Sequence, residues 1–496
     1  MVLLRGDDVM AKPVTANPQL AAAPFGSDLH QFLEQYERAY PDEVLHIDEP
    51  LRAEWEIAAL AMKLEKAHRF PLLVFHNVIV DGRRATMPLM TFLMASRLRL
   101  ARTMGTEVQK AGLACYERVQ TRQRPIVVSR DQASVKQVVE KGSDIDVRRF
   151  PALRHHRMDP GRYITEGHFL TFNRDTGIDN SAMHRGWLAD RDEIRVWLAP
   201  NSHNAHNLHY CEEAGEDMPA AYWIGHHPLA LLGAANHVGP EESHYETAGG
   251  TLGSPLRLVA SETLGQKFLV PADAEVVIEG YMPKAQRKPE GPFGEYTRHV
   301  GPQRWCPLLK VTAVTYRKDA YWDDVMVGHT HWIISLTKEG EVFRAVQRAV
   351  PGVKAVHLPM SGCGVAHVYI QIRKTVEGQG KTAAVSALTS YIGLKHAFVF
   401  DEDVDIFDER EVLLALATRF QADRGLVTLP GMTGSPLDPS SPDGRLVCKS
   451  GFDCTKPLGK PFAERLAISK EVLDRIDPLK IIGEKRWSDI PVEPWG

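Results

Sequence analysis

Histidine is the residue type whose distribution first points to chemistry in this chain. Of the 21 histidines in the 496 residues, 11 lie between residues 155 and 244. Imidazole titrates near neutral pH and is the commonest side-chain ligand for metals. We therefore expect the chemistry of this protein to involve this region. The HExxH motif of zinc hydrolases is absent from the sequence, but a metal-dependent hydrolase built from this cluster remains an alternative at this point.

Two glutamates five residues apart are the second feature of this kind. Glu290 and Glu295 flank a Pro/Gly turn in the segment KPEGPFGEY, so both carboxyl groups could face one pocket. Two neighbouring carboxylates cannot both ionise at low cost, so the pKa of one rises and that group can act as a general acid. An arginine such as Arg185 would keep the other ionised and could bind a substrate carboxylate through two hydrogen bonds. A surface turn with two solvated acids is the competing interpretation.

Two further motifs match known binding loops incompletely. GQGKT at 378–382 lacks the first glycine of a phosphate-binding P-loop, because position 375 is threonine. The D-x-D-x-D series that begins at residue 401 lacks the glycine and the glutamate of an EF-hand, since Ile406 and Val412 occupy those positions. We interpret this acidic segment as the end of a strand followed by the N-terminus of a helix, where the helix dipole favours negative charge.

Charge and composition restrict the class of protein. The chain has 59 Lys+Arg and 63 Asp+Glu, a net charge of −4, which argues against a nucleic-acid binder. Its hydrophobic fraction of 44% is too high for a disordered chain, and no stretch approaches the length of a membrane span. Six widely spaced cysteines without a CxxC pair indicate reduced thiols. Since the N-terminus also lacks the apolar run of a signal peptide, we expect a cytoplasmic protein.

The elements that must position these residues predict an α/β (α+β) fold of several domains. Residues 1–27 form a loose arm, and residues 28–125 form an N-terminal α/β domain in which PLLVFHNVIV is one buried strand. Residues 126–330 contain short strands between frequent Gly and Pro, which is typical of a β-rich domain. In residues 331–496 a helix from Glu341 precedes a strand, a helix and a strand, which predicts a βαβ unit and a C-terminal tail.

Beyond these patterns, the chain resembles the UbiD-like decarboxylases, a family that uses prenylated FMN. Asn180 precedes Arg185 by five residues and His203 by 23, which are spacings of that family, and the EGPFGE turn of Glu290 and Glu295 also matches. The resemblance extends from about residue 30 to about residue 460 and includes the segments IGHHP (224–228), VPADAEVVIEG (270–280) and DEDVDIFD (401–408). The segments TLPGMTGSPLDPS (428–440) and FDCTKP (452–457) are most similar to the AroY-like branch, which acts on hydroxylated aromatic acids.

The resemblance implies roles for these residues. Arg185, Glu290 and Glu295 would form the catalytic network, with Glu295 as the proton donor and the other two orienting it. Asn180 and His203 would bind Mn²⁺ (or Mg²⁺) that bridges the protein and the cofactor phosphate, and K⁺ is a further candidate ion.

The third metal ligand is left open by the sequence. In the family it is a glutamate five residues before the glycine of an AG step, where this chain has His244, with Glu242 as the alternative.

The resemblance also implies contacts with the cofactor and with the substrate. The cofactor would contact Asn180, Ser181, Met183, Arg185, His203, His226, Pro228 and Lys381. Leu437 would close over the substrate, and His329 and His331 would face it. In the AroY-like branch a histidine tends to precede the LDPS segment, where this chain has Ser435 and Pro436, so the substrate itself is left open.

The expected function follows from these roles. It is the non-oxidative, reversible decarboxylation of an aromatic or heteroaromatic carboxylic acid through a covalent adduct between substrate and prenylated FMN. Decarboxylation of an acrylic-type acid and a non-catalytic binding protein with the same fold are the alternatives besides the hydrolase. The family further implies a split-barrel, flavin-binding domain at 126–330 and a C-terminal domain that forms a homodimer or a larger homo-oligomer. A flavin prenyltransferase would supply the cofactor.

Overall fold

The computed structural model describes residues 24–441 and 446–490. The predicted loose arm falls largely outside the described residues, which begin at residue 24. By their contacts the residues form two compact units, one ending at Thr455 and the other beginning at Lys456. The second unit contains the short helices Lys470–Arg475, Pro478–Ile482 and Glu484–Asp489. All six cysteines are free, as the sequence predicts.

A nine-stranded antiparallel sheet forms the centre of the first unit. Its strands, in spatial order, are Asp179–Met183, Gly167–Phe172, Met218–Ile224, Val276–Met282, Leu308–Tyr316, Glu193–Val196, Gly186–Asp190 and Tyr163–Ile164, and Val138–Lys141 pairs with Leu308–Tyr316 beside this path. The β-rich character predicted for residues 126–330 is therefore present. Three helices in the same segment were not predicted: His203–Glu213, Pro228–Ala234 and His244–Leu252.

The central strands are apolar on both faces because the sheet lies between two hydrophobic clusters. In the strand Val276–Met282, Val277 belongs to one cluster, whereas Val276 and Ile278 belong to the other. Alternation of side chains along a strand explains this division. Gly280 lies at a bulge in the pairing with Leu308–Tyr316, where a Cβ atom would come within 2.0 Å of the Lys310 carbonyl oxygen, so the bulge requires glycine.

The N-terminal α/β part differs from the prediction in two respects. The segment predicted as one strand contains two, Leu72–Phe75 and Val78–Val80, which belong to different sheets. The chain changes direction at Asn77, whose side chain donates a hydrogen bond to the Asp48 carbonyl oxygen at 2.6 Å. The sheet of Leu72–Phe75 also receives a strand from much later in the chain, Trp322–Asp324.

The remaining strands of this part are short. They are Val44–Ile47, Leu51–Arg52, Arg83–Arg84 and Leu89–Thr91, and a separate three-stranded sheet contains Ile126–Val127, Arg257–Ala260 and Leu269–Pro271. The helices are Leu29–Ala39, Glu56–Lys66, Arg97–Met104 and Ala111–Val119.

The C-terminal part of the first unit contains the predicted βαβ unit. The strands His367–Ile372 and His396–Asp401 are parallel and are joined by the helix Gln379–Ser390. The helix predicted from Glu341 begins earlier and spans Ile333–Ala349, and the strand that follows it, Val353–His357, was not predicted. The strands Leu446–Asp453 and Leu426–Thr433 complete the five-stranded sheet, with the helices Glu409–Arg419 and Ala422–Gly425 before them. Among the described helices, none is long and apolar enough to cross a membrane.

Candidate active site

Arg185 joins both predicted glutamates in one buried cluster. Its Nε and Nη2 atoms donate to Oε1 and Oε2 of Glu290 at 3.0 and 2.7 Å, and its Nη1 donates to Oε1 of Glu295. The three residues are only 8%, 0% and 7% exposed. The alternative of a surface turn with solvated acids is therefore wrong.

Two small β-ladders place the glutamates opposite the arginine. Glu290 ends the strand Lys288–Glu290, which pairs with Arg304–Cys306, and Glu295 follows the strand Phe293–Gly294, which pairs with Val300–Gly301. The Arg185 guanidinium lies 5.0 Å from the ring centroid of Trp197 and 4.8 Å from that of Phe293. These aromatic faces hold the cation between the two carboxyl groups.

Hydrogen bonding distinguishes the two glutamates. Glu290 also accepts a hydrogen bond from the Tyr163 hydroxyl at 2.9 Å and one from the Cys306 thiol at 3.8 Å. Three side chains thus donate to Glu290, whereas among side chains only Arg185 is seen to donate to Glu295 in the described part of the chain. Burial raises the pKa of Glu295, and this effect exceeds the lowering by the Arg185 charge. Glu295 therefore keeps its proton to higher pH than an ordinary glutamate, which suits it to act as a proton donor.

A second feature of the site is a set of three buried histidines, His168, His226 and His244. The ring of His168 stacks on Trp223 with centroids 4.4 Å apart, and both of its ring nitrogens are buried without a hydrogen-bond partner. His226 Nε2 and His244 Nδ1 are also buried without a partner. Burial lowers the pKa to about 3 for His168 and His244 and to about 4 for His226, so the three rings are neutral.

Unpaired polar atoms inside a protein are costly unless a ligand pairs with them. A bound molecule with hydrogen-bonding atoms would pair with these imidazole nitrogens, and an aromatic ring in that molecule would suit the aromatic surroundings that Trp223 provides. A flavin has both hydrogen-bonding atoms and an aromatic ring system, so the residues present here fit such a cofactor.

The predicted metal ligands line a cavity of about 60 Å³. Asn180, His203 and Glu242 face this cavity, and His203 is the first residue of the helix His203–Glu213. The Asn180 amide nitrogen donates to Asn204 Oδ1 at 2.6 Å, so its oxygen is the atom with which it would bind a metal.

Of the two candidates for the third ligand, Glu242 lines this cavity, whereas His244 is buried outside its lining. Glu242 pairs with Arg122 at 2.6 Å and accepts a hydrogen bond from the Gly239 amide. His244 begins the helix His244–Leu252 and is close enough to His203 for the two to influence each other's charge. Within residues 24–441 and 446–490, no group of three or more His, Cys, Asp or Glu side chains is arranged to hold a metal. A metal here would need further oxygen donors from a bound molecule, such as a phosphate.

The other residues predicted to contact the cofactor fall into two locations. Ser181 accepts a hydrogen bond from Trp223 Nε1 at 3.1 Å, Met183 packs against a hydrophobic cluster, and Pro228 begins the helix Pro228–Ala234. These three lie on or next to the nine-stranded sheet. Lys381, by contrast, lies in the first turn of the helix Gln379–Ser390, which packs against the five-stranded sheet.

The predicted substrate residues are placed as follows. His329 Nδ1 pairs with Glu65 at 2.6 Å, and burial lowers the pKa of His331 to about 4. Leu437 follows the strand Leu426–Thr433, and its amide donates to Ser435 Oγ at 3.2 Å.

A cavity of about 300 Å³ lies beside Ser435. The Tyr296 hydroxyl, one residue after Glu295, is 2.8 Å from Ser435 Oγ. Tyr296 and Ser435 line this cavity together with His367 and His396, which the sequence analysis did not single out.

Several residues of the site were missed because no local pattern marks them. Tyr163 is separated from Glu290 by 127 positions, Cys306 ends the strand Arg304–Cys306, and Trp197 directly follows the strand Glu193–Val196. His168 belongs to the histidine-rich region, but its spacing to the other residues carries no signal. Only the pairing of the strands brings these side chains together.

Family models match most of the chain. Residues 37–116, 126–330 and 331–454 match the N-terminal, Rift-related and C-terminal domains of 3-octaprenyl-4-hydroxybenzoate carboxy-lyase. The anhydromevalonate phosphate decarboxylase of Methanothermobacter thermautotrophicus is 31% identical over 84% of this chain and 95% of its own length. The gallate decarboxylase of Lactiplantibacillus plantarum is 31% identical over 75% of this chain and 79% of its own.

Solved structures are similar over nearly the whole fold. HmfF of Pelotomaculum thermopropionicum, a UbiD-class enzyme in complex with FMN, is 32% identical with a TM-score of 0.85 over 91% of this chain and 99% of its own. The 3,4-dihydroxybenzoic acid decarboxylase AroY of Klebsiella pneumoniae, in its apo form, is 27% identical with a TM-score of 0.83 over 92% of this chain and 99% of its own.

Proposed function

Because the chain belongs to the UbiD family of carboxy-lyases, we propose that it decarboxylates an aromatic or heteroaromatic carboxylic acid with prenylated FMN as cofactor. The observation that carries this proposal is the buried cluster of Arg185, Glu290 and Glu295, in which Arg185 donates to both carboxyl groups and burial raises the pKa of Glu295. Decarboxylation produces a carbon that must be protonated away from water, and this cluster supplies a buried acid for that step.

A cofactor is needed because protein side chains offer no acceptor for the electrons left when CO₂ departs from an sp² carbon. Prenylated FMN, when bound, supplies this electron acceptor. The neutral histidines His168, His226 and His244 would hold it, with Trp223 as part of the wall. The HmfF structures that resemble this chain contain FMN or prenylated FMN.

Each of the three residues in the cluster has its own role. Arg185 holds the carboxyl groups of Glu290 and Glu295 in place by hydrogen bonds, and its positive charge attracts the carboxylate of the substrate. Glu295 donates its proton to the carbon that loses CO₂, and Glu290 keeps Arg185 charged. Burial opposes the charge of Arg185, but the acidic groups around it, foremost Glu290 through its hydrogen bonds, raise the pKa of the guanidinium.

The cavity next to Tyr296 favours an uncharged ring over a phosphate. Burial lowers the pKa of His396 to about 4 and also lowers that of His367, so both are neutral. Lys395, which lines the same cavity, is paired with Asp438 at 2.8 Å. A phosphate dianion would require an unpaired cation. A phosphorylated alkenoic acid, the kind of substrate named for the archaeal relative, is the second candidate.

We also propose that Asn180 and His203 bind Mn²⁺ or Mg²⁺ together with a phosphate of the cofactor, with His244 or Glu242 as the third ligand. A zinc hydrolase is less well supported, because the described residues contain no three-residue cluster of His, Cys, Asp or Glu that could bind zinc alone. We further propose domains at 28–125, 126–330 and 331–496, the last of which mediates homodimer formation.

The experiment combines cofactor loading with one substitution. The chain is co-expressed with a flavin prenyltransferase, its absorbance spectrum is recorded, and CO₂ release is followed over a panel of aromatic, heteroaromatic and phosphorylated alkenoic acids. We expect flavin absorbance and turnover of an aromatic acid. Glu295→Gln should abolish turnover with the flavin still bound, whereas Glu34→Gln, at a position whose side chain is 70% exposed, should behave as the wild type. Normal turnover in Glu295→Gln would disprove the proposed mechanism.

A further inference from the structure

The turn that carries Glu295 is held by a buried aspartate that the sequence analysis did not assign. Asp159 is completely buried. Its Oδ1 accepts a hydrogen bond from the Gly294 amide at 3.1 Å, and its Oδ2 accepts one from the His156 amide at 2.7 Å. Both carboxylate oxygens are therefore bound to backbone amides, one of which is the amide of Gly294, the residue immediately before Glu295.

The opposite side of Gly294 is closed by an imidazole ring. A Cβ atom on Gly294 would lie 2.1 Å from Cδ2 of His156, so no side chain fits at this position. His156 Nε2 is 2.9 Å from the Val327 carbonyl oxygen, which requires that this nitrogen carries the proton and donates it. The ring is thereby fixed, and Gly294 is confined between the ring and the Asp159 carboxylate.

The residues on either side of Gly294 are fixed by other groups. The ring of Phe293 lies 4.3 Å from that of Tyr163 and 4.8 Å from the Arg185 guanidinium, and the Glu295 carboxyl group accepts from Arg185. Arg185 thus holds the end of the Glu295 side chain. The backbone from which that side chain extends is held through Gly294.

We propose that Asp159 is a positioning residue for the proton donor: its carboxylate fixes the Phe293–Gly294 peptide, one residue before Glu295, so that the Glu295 carboxyl group meets both Arg185 and the reacting carbon. The proposal rests on the proposed function, in which Glu295 is that donor. Asp159 itself does not touch the reacting atoms. A displacement of about 1 Å at a reacting group can cost about 100-fold in rate, so a small rotation of this peptide would matter.

The test uses the flavin-loaded, full-length enzyme. For Asp159→Ala we expect kcat to fall about 100-fold, with KM and flavin content within about two-fold of the wild type. Asp159→Asn, which keeps one acceptor oxygen, should give a smaller loss. Asp175→Ala, at a position whose side chain is 71% exposed, is the matched control and should leave kcat unchanged.

The pH profile of kcat separates positioning from a general structural role. When the turn loosens, Arg185 holds Glu295 less closely and lowers its pKa less, so the descending limb of the profile should move to higher pH in Asp159→Asn. An unchanged kcat and pH profile in Asp159→Ala would overturn the proposal. So would a loss of activity in Asp159→Asn that only follows a loss of flavin or of folded protein.

Amide hydrogen exchange tests the same contact without turnover. In the flavin-free wild type the Gly294 amide should exchange slowly, and residues 290–299 should exchange faster in Asp159→Asn while residues 218–224 of the central sheet do not change. Fast exchange at Gly294 in the wild type would overturn the role of Asp159. If the wild type released CO₂ from none of the acids, the proposed function would fail, whereas the exchange result would still decide whether Asp159 holds the turn.

Discussion

At the scale of single residues, Glu290 and Glu295 have the same side chain but different hydrogen-bond partners. Glu290 accepts hydrogen bonds from Arg185, Tyr163 and Cys306, whereas Glu295 shares Arg185 and is otherwise governed by burial. Glu290 is therefore the more firmly held of the two, whereas the raised pKa of Glu295 suits it to donate a proton. This division is the same one that general acid catalysis requires of a carboxyl pair.

The pH dependence of turnover follows from Glu295. Its pKa is raised above that of an ordinary glutamate, mainly by burial, so the protonated acid persists to higher pH. Turnover requires the protonated form, and kcat should therefore be constant at low pH and decline as the pH rises through this pKa. Steady-state measurements of kcat against pH test this expectation. A kcat that increases with pH over the same range would mean that Glu295 acts as a base.

The proposed metal site predicts the joint loss of two components. Asn180→Ala or His203→Ala should remove the metal and the flavin together, because the metal would link the protein to the cofactor phosphate. His209→Ala is the matched control, since His209 lies on the same helix as His203 but its side chain is 64% exposed. Metal analysis and flavin absorbance of the purified variants provide the measurement. Full metal and flavin content in His203→Ala would exclude this residue as a ligand.

At the scale of elements, a buried ion cluster ties three segments of the first unit together. Arg97, at the start of the helix Arg97–Met104, donates to both oxygens of Glu339 at 2.9 and 2.7 Å. Glu339 belongs to the helix Ile333–Ala349 and also accepts from His357 Nδ1 at 2.9 Å, at the end of the strand Val353–His357. Burial works against the charge of Glu339, but Arg97 and His357 outweigh it and lower its pKa to about 2.

Replacing Arg97 should therefore destabilise the first unit strongly. Arg97→Ala leaves a buried carboxylate without its arginine partner, and we expect a loss of about 3–5 kcal/mol in the free energy of unfolding. Arg38→Ala, which removes an exposed pair with Glu34, should change it by less than about 0.5 kcal/mol. Denaturant titration of both variants at neutral pH measures the difference. Equal stability of the two variants would contradict a structural role for the cluster.

The same cluster gives stability a definite pH dependence. The pKa of Glu339 is depressed in the folded state, so its contribution is fully present above the pKa of an unfolded glutamate, about 4.5. It is lost as the pH falls from there through about 2, because the unfolded chain takes up the proton first.

At the scale of the whole molecule, the hydrophobic cores belong to the first unit alone. All four clusters of buried apolar residues lie between Leu29 and Cys454. Every described residue after Pro457 is exposed, apart from the half-buried Asp477. Within the described residues, the clusters of buried apolar side chains therefore lie before Lys456.

A chain that ends at Thr455 should consequently remain folded. We expect its melting temperature to stay within about 3 °C of the full-length value, since the truncated chain keeps all four clusters of buried apolar residues seen in the described part of the chain. Circular dichroism melts of the two chains, at equal protein concentration, provide the comparison. A decrease of 10 °C or more, well beyond that margin, would show that the last residues stabilise the first unit.

The sequence by itself determined the family, the two glutamates, the arginine and the periodic elements. The spacing of Asn180, Arg185 and His203 and the EGPFGE turn are local patterns, and the βαβ unit follows from hydrophobic periodicity. Local signals also existed for two helices that were missed, because Ser202 and Ser243 cap them by accepting hydrogen bonds from Ala205 and Glu246. Those serines were not interpreted as caps.

Only the tertiary structure decided which side chains surround these residues. The contacts of Tyr163 with Glu290 and of Asp159 with Gly294 join residues more than a hundred positions apart in the sequence. His168 meets Trp223 because their strands pair in the central sheet. No periodicity in the sequence indicates contacts at such separations. Burial, which makes Glu295 an acid and leaves the histidines neutral, is likewise a property of the assembled core. A residue type specifies what chemistry is available, whereas the surroundings that set its charge exist only once distant segments have packed together.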